Sequence, residues 1–303
     1  MIRSEVWSTT IRAYIFLSFT ALCFGANTTL AKLAVGEVSP MMVVALRWLL
    51  VVGLLVAFNS KTLVSDWPNL KPHLGFLFAM GALGFAAFNG LFYVAAHHTT
   101  AINMGIISGM LPVFVLAGAL LVYKTPVGKL QWVGASITLL GVVVVASAGD
   151  VERFLRLSLN NGDMLVVLAA VVYASYTVGL RRRPKSSALA LFTVLAASAF
   201  LASLPMVAAE VMLGEAQIPT LQGWGVVVLV ALFPSFLAQL TFIKGVEIIG
   251  PGRAGIFVNL VPVFGAAIAV IFLGEEFHLY HGIALVLVLG GIWVAERSVK
   301  NAH

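Results

Sequence analysis

The sequence predicts an all-α polytopic membrane protein in which ten transmembrane helices form two inverted five-helix repeats. The 303 residues are 61% hydrophobic and 10% charged, with a mean hydropathy of +1.04, whereas soluble domains carry roughly 25% charged residues. The chain also divides into apolar runs of about the 20 residues that a helix needs to cross a bilayer. Finally, residues 105–123 and 255–273 are two versions of one segment.

The duplicated segment carries a central proline in both copies. Residues 112–114 and residues 262–264 both read Pro-Val-Phe, at an offset of about 150 positions. The other identities at this offset are Gly105 with Gly255, Ile106 with Ile256, Ala117 with Ala267, and Ala119 with Ala269. Similarity at a fixed offset indicates a duplicated structural unit. If each unit holds an odd number of spans, the second copy crosses the membrane in the opposite direction.

The apolar runs predict ten helices, because strands of a membrane barrel would be shorter and would alternate apolar with polar residues. The predicted domains are a first repeat over 1–148, a connecting loop over 149–161, and a second, inverted repeat over 162–303. A further long link is predicted over 59–72. The predicted helices are about Arg12–Ala34, Pro40–Phe58, His73–Ala96, Ala101–Tyr123, Leu130–Ala148, Gly162–Leu180, Ser187–Leu213, Gly223–Ile243, Ala254–Leu273 and Tyr280–Ala295.

The connections between these helices alternate in charge. One set holds most of the lysines and arginines, including the run 181–183, whereas the other set has only Lys32, Arg153 and Arg156. Basic residues near helix ends stay in the cytoplasm, so the sequence predicts a multi-pass protein with both termini cytoplasmic. The net charge of +6 is explained by this topology. The expected surroundings are therefore a lipid bilayer and not a nucleic acid.

Cysteine usage limits the chemistry that the chain can support. Cys23 is the single cysteine, so an internal disulfide is excluded, and no Cys/His cluster has zinc-ligand spacing. No metal and no cofactor are expected. Residues 1–24 do not read as a cleaved signal peptide, because the apolar run that they begin continues to Ala34.

An ordered set of residues resembles the drug/metabolite transporter superfamily, in its branch with two EamA domains. The resemblance covers nearly the whole chain and implies a bundle around a central cavity that moves small metabolites by alternating access. Within the family the chain is most similar to bacterial aromatic amino-acid exporters of the YddG type, which implies neutral and aromatic amino acids as substrates and the bacterial inner membrane as location. The matching residues are Phe24-Gly25-Ala26-Asn27, Lys32, Ser39-Pro40, Arg47, Pro112-Val113-Phe114, Gly134, Gly141, Pro262-Val263-Phe264, Gly274-Glu275-Glu276, Gly282 and Gly290.

Polar residues deep in the predicted spans mark a candidate substrate site. Such groups are costly in lipid unless they face protein or water, and inverted repeats bind substrate near the midplane, where the halves meet. An interhelical hydrogen bond is the alternative for the amides, and ordinary packing is the alternative for the aromatic rings. The candidate substrate-binding residues are Asn27, Arg47, Asn89, Phe92, Tyr173, Tyr176, Gln239, Phe242 and Asn259.

Arg47 and the two matched prolines each allow two interpretations. Arg47 lies about seven residues, roughly 10 Å, inside the second helix. It could pair with a substrate carboxylate, or it could reach the surface and pair with Glu37 or a helix end. Pro112 and Pro262 remove backbone hydrogen bonds, which predicts either a pair of hinges or a pair of fixed kinks.

The alternatives to amino-acid export differ in the residues that they need. No Asp or Glu lies near the middle of a predicted span, whereas a proton-coupled exporter of lipophilic cations commonly uses one. Efflux of drugs or other metabolites is the main rival, and nucleotide sugars would favour several cavity cations. An intramembrane enzyme would need embedded paired acids, a Ser/His arrangement or a metal set, and the sequence predicts none. The sequence leaves open proton coupling or facilitated diffusion, and a monomer or a weak homodimer.

Overall fold

A computed structural model describes residues 2–124, 126–150, 160–250, 254 and 257–300. The predicted all-α class is confirmed for this part of the chain, which contains helices and no strand. It holds seven helices long and apolar enough to cross a membrane, together with two shorter apolar helices, Val261–Leu273 and Leu279–Ala295. The repeat partners Gly255 and Ile256, the basic residues Arg153 and Arg156, and most of the connecting loop over 149–161 lie outside the described residues.

Seven α-helical segments lie in the described residues of the first half of the chain. A π-helical turn, Ala82–Ala87, joins α3 to α4, and a short 3₁₀ turn, Lys71–His73, joins α2 to α3. The segments are α1 Ile2–Ala34, α2 Pro40–Leu70, α3 Leu74–Gly81, α4 Phe88–Ala95, α5 Ala101–Ser108, α6 Leu111–Tyr123 and α7 Lys129–Ala146.

The second half also contains a π-helical turn. Its π-helical turn, Ala231–Leu237, joins α10 to α11 at an offset of about 150 from the first one. The segments are α8 Asn161–Gly179, α9 Ala188–Met212, α10 Leu221–Val230, α11 Ala238–Ile249, α12 Val261–Leu273 and α13 Leu279–Lys300.

The link predicted over 59–72 is wrong, because α2 continues through it to Leu70. The extra turns lie along the start of α9, where the carboxylate of Asp66 accepts a hydrogen bond from the backbone N–H of Ser187 at 2.7 Å. Asn59 and Leu70 are buried. Residues 59–70 are less apolar than the first part of α2, yet they are helical. Packing against a neighbouring helix stabilises helical structure outside the lipid as well.

The predicted single helix Ala101–Tyr123 is broken at Gly109 and Met110, which form a turn between α5 and α6. Pro112 stands in the first turn of α6, and Pro262 stands in the first turn of α12. The first turn of a helix tolerates proline because its N–H groups have no partner within the helix. The two prolines therefore stand next to an interruption in the helical hydrogen-bonding pattern, in the first turns of α6 and α12.

Helices α7 and α13 are antiparallel and pack against each other through small residues. An added Cβ on Gly134 would meet the carbonyl oxygen of Gly291, and one on Gly141 would lie 2.9 Å from the carbonyl oxygen of Ala284. Residue numbers of the contacting pairs increase along α7 while they decrease along α13, as they do in antiparallel helices. Helices α2 and α9 also pack closely, and α1 packs against α11 and α12.

Candidate functional site

A cavity of about 210 Å³ lies between the two halves of the chain. Its walls come from α1, α2, α4, α5, α6, α8, α11, α12 and α13, together with both π-helical turns. The predicted site residues that line it are Asn27, Arg47, Asn89, Phe92, Pro112, Tyr173, Gln239, Asn259 and Pro262.

Two predicted residues do not line the cavity. Tyr176 is buried behind it, where its ring lies 5.3 Å from that of Tyr173 and 5.2 Å from that of Phe85. Phe242 is half-buried and stands one turn beyond Gln239 on α11, outside the lining. Both were predicted from their aromatic side chains and their depth, and Phe242 also from its repeat position opposite Phe92. None of these properties fixes the rotation of a helix.

The polar end of the cavity is organised by Arg47, which is only 5% exposed. Its Nε donates a hydrogen bond to the Ser235 hydroxyl at 2.6 Å. Its Nη1 faces three oxygens: Asn89 Oδ1 at 2.6 Å, the Tyr93 hydroxyl at 3.1 Å and Asn27 Oδ1 at 3.3 Å. Arg47 thus connects α2 to α1, to α4 and to the second π-helical turn.

The π-helical turns fix two of these acceptors. The Ser235 hydroxyl donates to the carbonyl of Val230, five residues earlier, at 2.6 Å, and the Asn89 amide donates to the carbonyl of Phe85 at 2.6 Å. Ser235 and Asn89 therefore each donate a hydrogen bond to a carbonyl of their own helix and present an oxygen to the Arg47 guanidinium. Widened turns of this kind are frequent at functional sites.

The positive charge of Arg47 has no ion-pair partner among the described residues. Glu37, the partner considered from sequence, instead accepts a hydrogen bond from the Thr220 hydroxyl at the end of the bundle. The Arg47 guanidinium lies 5.2 Å from the ring centroid of Trp48, a contact that stabilises a cation only modestly. A buried charge without a counter-charge is costly, so the site favours an anionic occupant.

Nη2 of Arg47 is the group left for such an occupant. It makes no hydrogen bond to any residue that the structure describes, although the other two guanidinium nitrogens are engaged. The interpretation that Arg47 reaches the surface is excluded by its burial. Depth along the helix suggested a surface position, but α2 lies inside the bundle at this level.

The rest of the cavity wall is mainly aromatic. The ring of Phe88 lies 4.9 Å from Tyr173 and 5.6 Å from Phe92, and the ring of Trp48 stacks on Phe85 at 4.7 Å. None of the lining residues is an Asp or a Glu. The arrangement is therefore a cationic, hydrogen-bonding end beside an aromatic wall.

One end of the bundle is held together by hydrogen bonds to carboxylates, and we call it the latched face. There the Glu275 carboxylate accepts the backbone N–H groups of Ala101 and Ile102, at 2.8 and 2.9 Å, at the start of α5. Near it, Asp163 accepts hydrogen bonds from the Thr99 hydroxyl at 2.5 Å and from the Asn103 amide at 3.3 Å. Nearly all of α5 is buried.

The opposite end, where α6 finishes at Tyr123, is called the open face. No residue of α6 is buried, and its principal helical neighbour is α8. The ring of Tyr123 lies 4.6 Å from the guanidinium carbon of Arg181, which places the basic run 181–183 at this face. Most of α5 is thus buried on one side of the break, whereas α6 is only partly buried on the other.

Several residues of the site were absent from the sequence prediction. Ser235 and Trp48 carry no signal of their own, because a serine and a tryptophan in an apolar run are most simply read as packing residues. The π-helical turns that place Asn89 and Ser235 left one trace, since Pro234 interrupts an otherwise helical pattern.

Comparison with protein-family models identifies one family. Residues 11–147 and 160–296 each match the EamA-like transporter family. The uncharacterized transporter YyaM of Bacillus subtilis is 28% identical over 299 residues, which cover 96% of this chain and 95% of the relative. The uncharacterized inner membrane transporter YedA of Escherichia coli is 25% identical over 272 residues, covering 88% and 85%. A crystal structure with 18% identity covers 98% of the chain with a TM-score of 0.64, which supports the fold alone.

Proposed function

The chain belongs to the EamA-like transporter family, and we propose that it exports neutral and aromatic amino acids by alternating access through the cavity between its halves. The observation that carries this proposal is the unequal packing of α5 and α6 on the two sides of their break. Helix α5 is buried at the latched face, whereas α6 has no buried residue at the open face. A cavity with one end held by hydrogen bonds and the other end loosely packed is the asymmetry that we expect of one of the two states in alternating access.

An inverted repeat accounts for the way α7 packs on α13. At the offset of about 150, Gly134 corresponds to Ala284, and Gly141 corresponds to Gly291. Gly134 contacts Gly291, and Gly141 contacts Ala284, so each residue meets the counterpart of the other. Reciprocal contacts of this kind follow from a two-fold axis between the halves. Because the two helices are antiparallel, that axis lies across them and the halves point in opposite directions.

Ten membrane crossings fit the same arrangement. The stretch Pro40–Ala95 is helical over 56 residues, about 84 Å at 1.5 Å per residue, which is far more than one bilayer needs. Its 3₁₀ turn at Lys71–His73 separates two crossings. Counting this stretch twice and adding the two shorter apolar helices gives ten.

The charges indicate the orientation that we propose. The open face carries Lys124 and the run 181–183, whereas Glu37, Asp163 and Glu275 lie at the latched face. By the positive-inside rule the open face is cytoplasmic, with both termini on that side and the protein in the bacterial inner membrane. The state described here would then receive substrate from the cytoplasm, as an exporter requires.

The test is flux of radiolabelled phenylalanine in proteoliposomes. We expect saturable transport that is lost in Gly105→Leu, because Gly105 lines the cavity and a leucine there would fill it. Gly225→Leu is the matched control, since a side chain at Gly225 would meet no neighbour within 4 Å. Absence of saturable flux under either gradient direction would contradict amino-acid transport. Saturable efflux of a lipophilic cation instead would favour the drug-efflux alternative. An imposed pH gradient separates proton coupling from facilitation.

A further inference from the structure

We propose that the cavity recognises its substrate through a carboxylate bound by Arg47, and that it does not recognise an ammonium group. The substrate class is then aromatic and apolar monocarboxylates, of which amino acids are one kind. A carboxylate that lacks the amino group should bind at least as well as the amino acid itself. This inference rests on the proposed function in one respect only, namely that substrate occupies this cavity.

The guanidinium is held ready for a carboxylate. Nε is fixed by Ser235, and Nη1 is fixed by the Asn89 oxygen, both at 2.6 Å. These bonds set the plane of the fork while Nη2 keeps both of its N–H groups without an acceptor among the described residues. Arginine binds carboxylates through such planar N–H groups. An arginine with a purely structural role would be expected to use all three nitrogens, or to lie beside an acid.

An ammonium group finds no matching charge in this cavity. None of the lining residues is acidic, and the acids at the latched face are engaged elsewhere. Glu210 accepts the Ser39 hydroxyl at 2.6 Å and the Met41 backbone N–H at 3.1 Å. Glu275 caps α5 with both of its oxygens. A buried charge is stabilised by a partner of opposite sign. Arg47 is such a partner for an anionic group, whereas the cavity lining contains no acidic partner for a cationic group.

The aromatic wall begins one helical turn from the cation. Asn89, which holds Nη1 of Arg47, and Phe92 are three residues apart on α4, and both line the cavity. Residues at this spacing lie about 5–6 Å apart on one helix face. A ligand whose carboxylate is separated from an aromatic ring by two or three carbons can therefore occupy both ends together.

Competition binding tests this specificity on the purified protein in detergent, with radiolabelled phenylalanine as the reporter. We expect phenylpropionate, which lacks the ammonium group, to displace labelled phenylalanine at the same concentration as unlabelled phenylalanine does, or at a lower one. Phenethylamine, which lacks the carboxylate, should need at least tenfold more. Arg47→Gln should abolish this discrimination, and Arg47→Lys should restore it in part. Lys61→Gln is the matched control, because it removes one charge from an exposed position of the same helix.

Direct binding of radiolabelled phenylpropionate separates this inference from the proposed function. If phenylalanine shows no binding or flux but phenylpropionate binds and requires Arg47, the amino-acid function fails and the carboxylate site stands. Equal competition by phenethylamine and phenylpropionate, or unchanged discrimination in Arg47→Gln, would overturn the inference while leaving transport intact. If Arg47→Gln does not fold, the wild-type ratio and Arg47→Lys decide. If neither compound binds, both proposals are rejected.

Discussion

Removing the charge of Glu275 should loosen the latched face. In the closed state both carboxylate oxygens accept backbone N–H groups at the start of α5, at 2.8 and 2.9 Å. Glu275→Gln keeps one acceptor oxygen, replaces the other with an amide donor and removes the negative charge. The neighbouring Glu276→Gln is a matched control, because the side chain of Glu276 is 84% exposed and its only described ion-pair contact is His278 at 3.5 Å.

The size of the effect follows from the contacts. A hydrogen bond to a charged group contributes about 1.5–3 kcal/mol, and a carboxylate at a helix N-terminus adds about 0.3–1 kcal/mol. Glu275 is half-buried, so solvent screens part of this. A loss of about 1.4 kcal/mol is a reasonable expectation, and it corresponds to a tenfold rise in the population with an open latch.

Cysteine labelling measures that population. The native Cys23 is replaced by serine, and Met104, which is fully buried on α5, is replaced by cysteine. In detergent, the rate of maleimide labelling at position 104 should rise about tenfold with Glu275→Gln and stay unchanged with Glu276→Gln. Equal rates in the two variants would show that the carboxylate cap does not control opening.

Two further predictions concern matched pairs of residues, and thermal denaturation in detergent measures both. Gly291→Ala should cost about 1–3 kcal/mol, because its Cβ would meet the Gly134 carbonyl at 2.5 Å, whereas Gly290→Ala faces open space and should be neutral. Asn89→Ala should cost about 1–3 kcal/mol, since it removes the shortest hydrogen bond that Nη1 of Arg47 makes. Gln239→Ala should change stability by less than about 0.5 kcal/mol, because Gln239 bonds to no described residue.

The helices were predictable because the requirement for a membrane span is local. An apolar run of sufficient length is helical in a bilayer whatever its neighbours are, and the predicted bounds of the helix that ends at Ala34 agree with the structure at that end. The end of α2 was missed for the same reason. Beyond Phe58 the residues are no longer predominantly apolar, so the sequence does not predict a span there. The helix continues because it packs on the start of α9, where Asp66 bonds to Ser187.

The sequence predicted how deep the candidate site residues lie in the membrane, but it did not predict which side of each helix faces the cavity. Asn89 and Gln239 occupy equivalent repeat positions and both line the cavity, so the shared offset was informative. Phe242 lies one turn from Gln239 and does not line it, because rotation depends on which helices pack nearby. The burial of Arg47 likewise depends on the lateral position of α2 in the bundle. Tertiary packing decides that position, and a single sequence does not record it.

The repeat also offers a test of strain, because the same turn is made by different residues in the two halves. The C-cap residue that follows α6 is Lys124 with φ 52°, and the one that follows α12 is Gly274 with φ 66°. The backbone N–H groups of these residues bond to the equivalent carbonyls of Ala119 and Ala269. A left-handed backbone costs a residue with a Cβ about 1 kcal/mol, so Lys124 carries strain that Gly274 avoids.

Exchanging the residue types should therefore move stability in opposite directions. Lys124→Gly should stabilise the fold by up to about 1 kcal/mol, less the few tenths that a lysine gains from the helix dipole. Gly274→Ala should destabilise it by about 1 kcal/mol. Differential scanning fluorimetry of both variants measures the shifts. A lower melting temperature for Lys124→Gly would mean that the positive charge at the end of α6 contributes more than the strain costs. The two halves would then differ at this turn because the basic, open face needs the lysine.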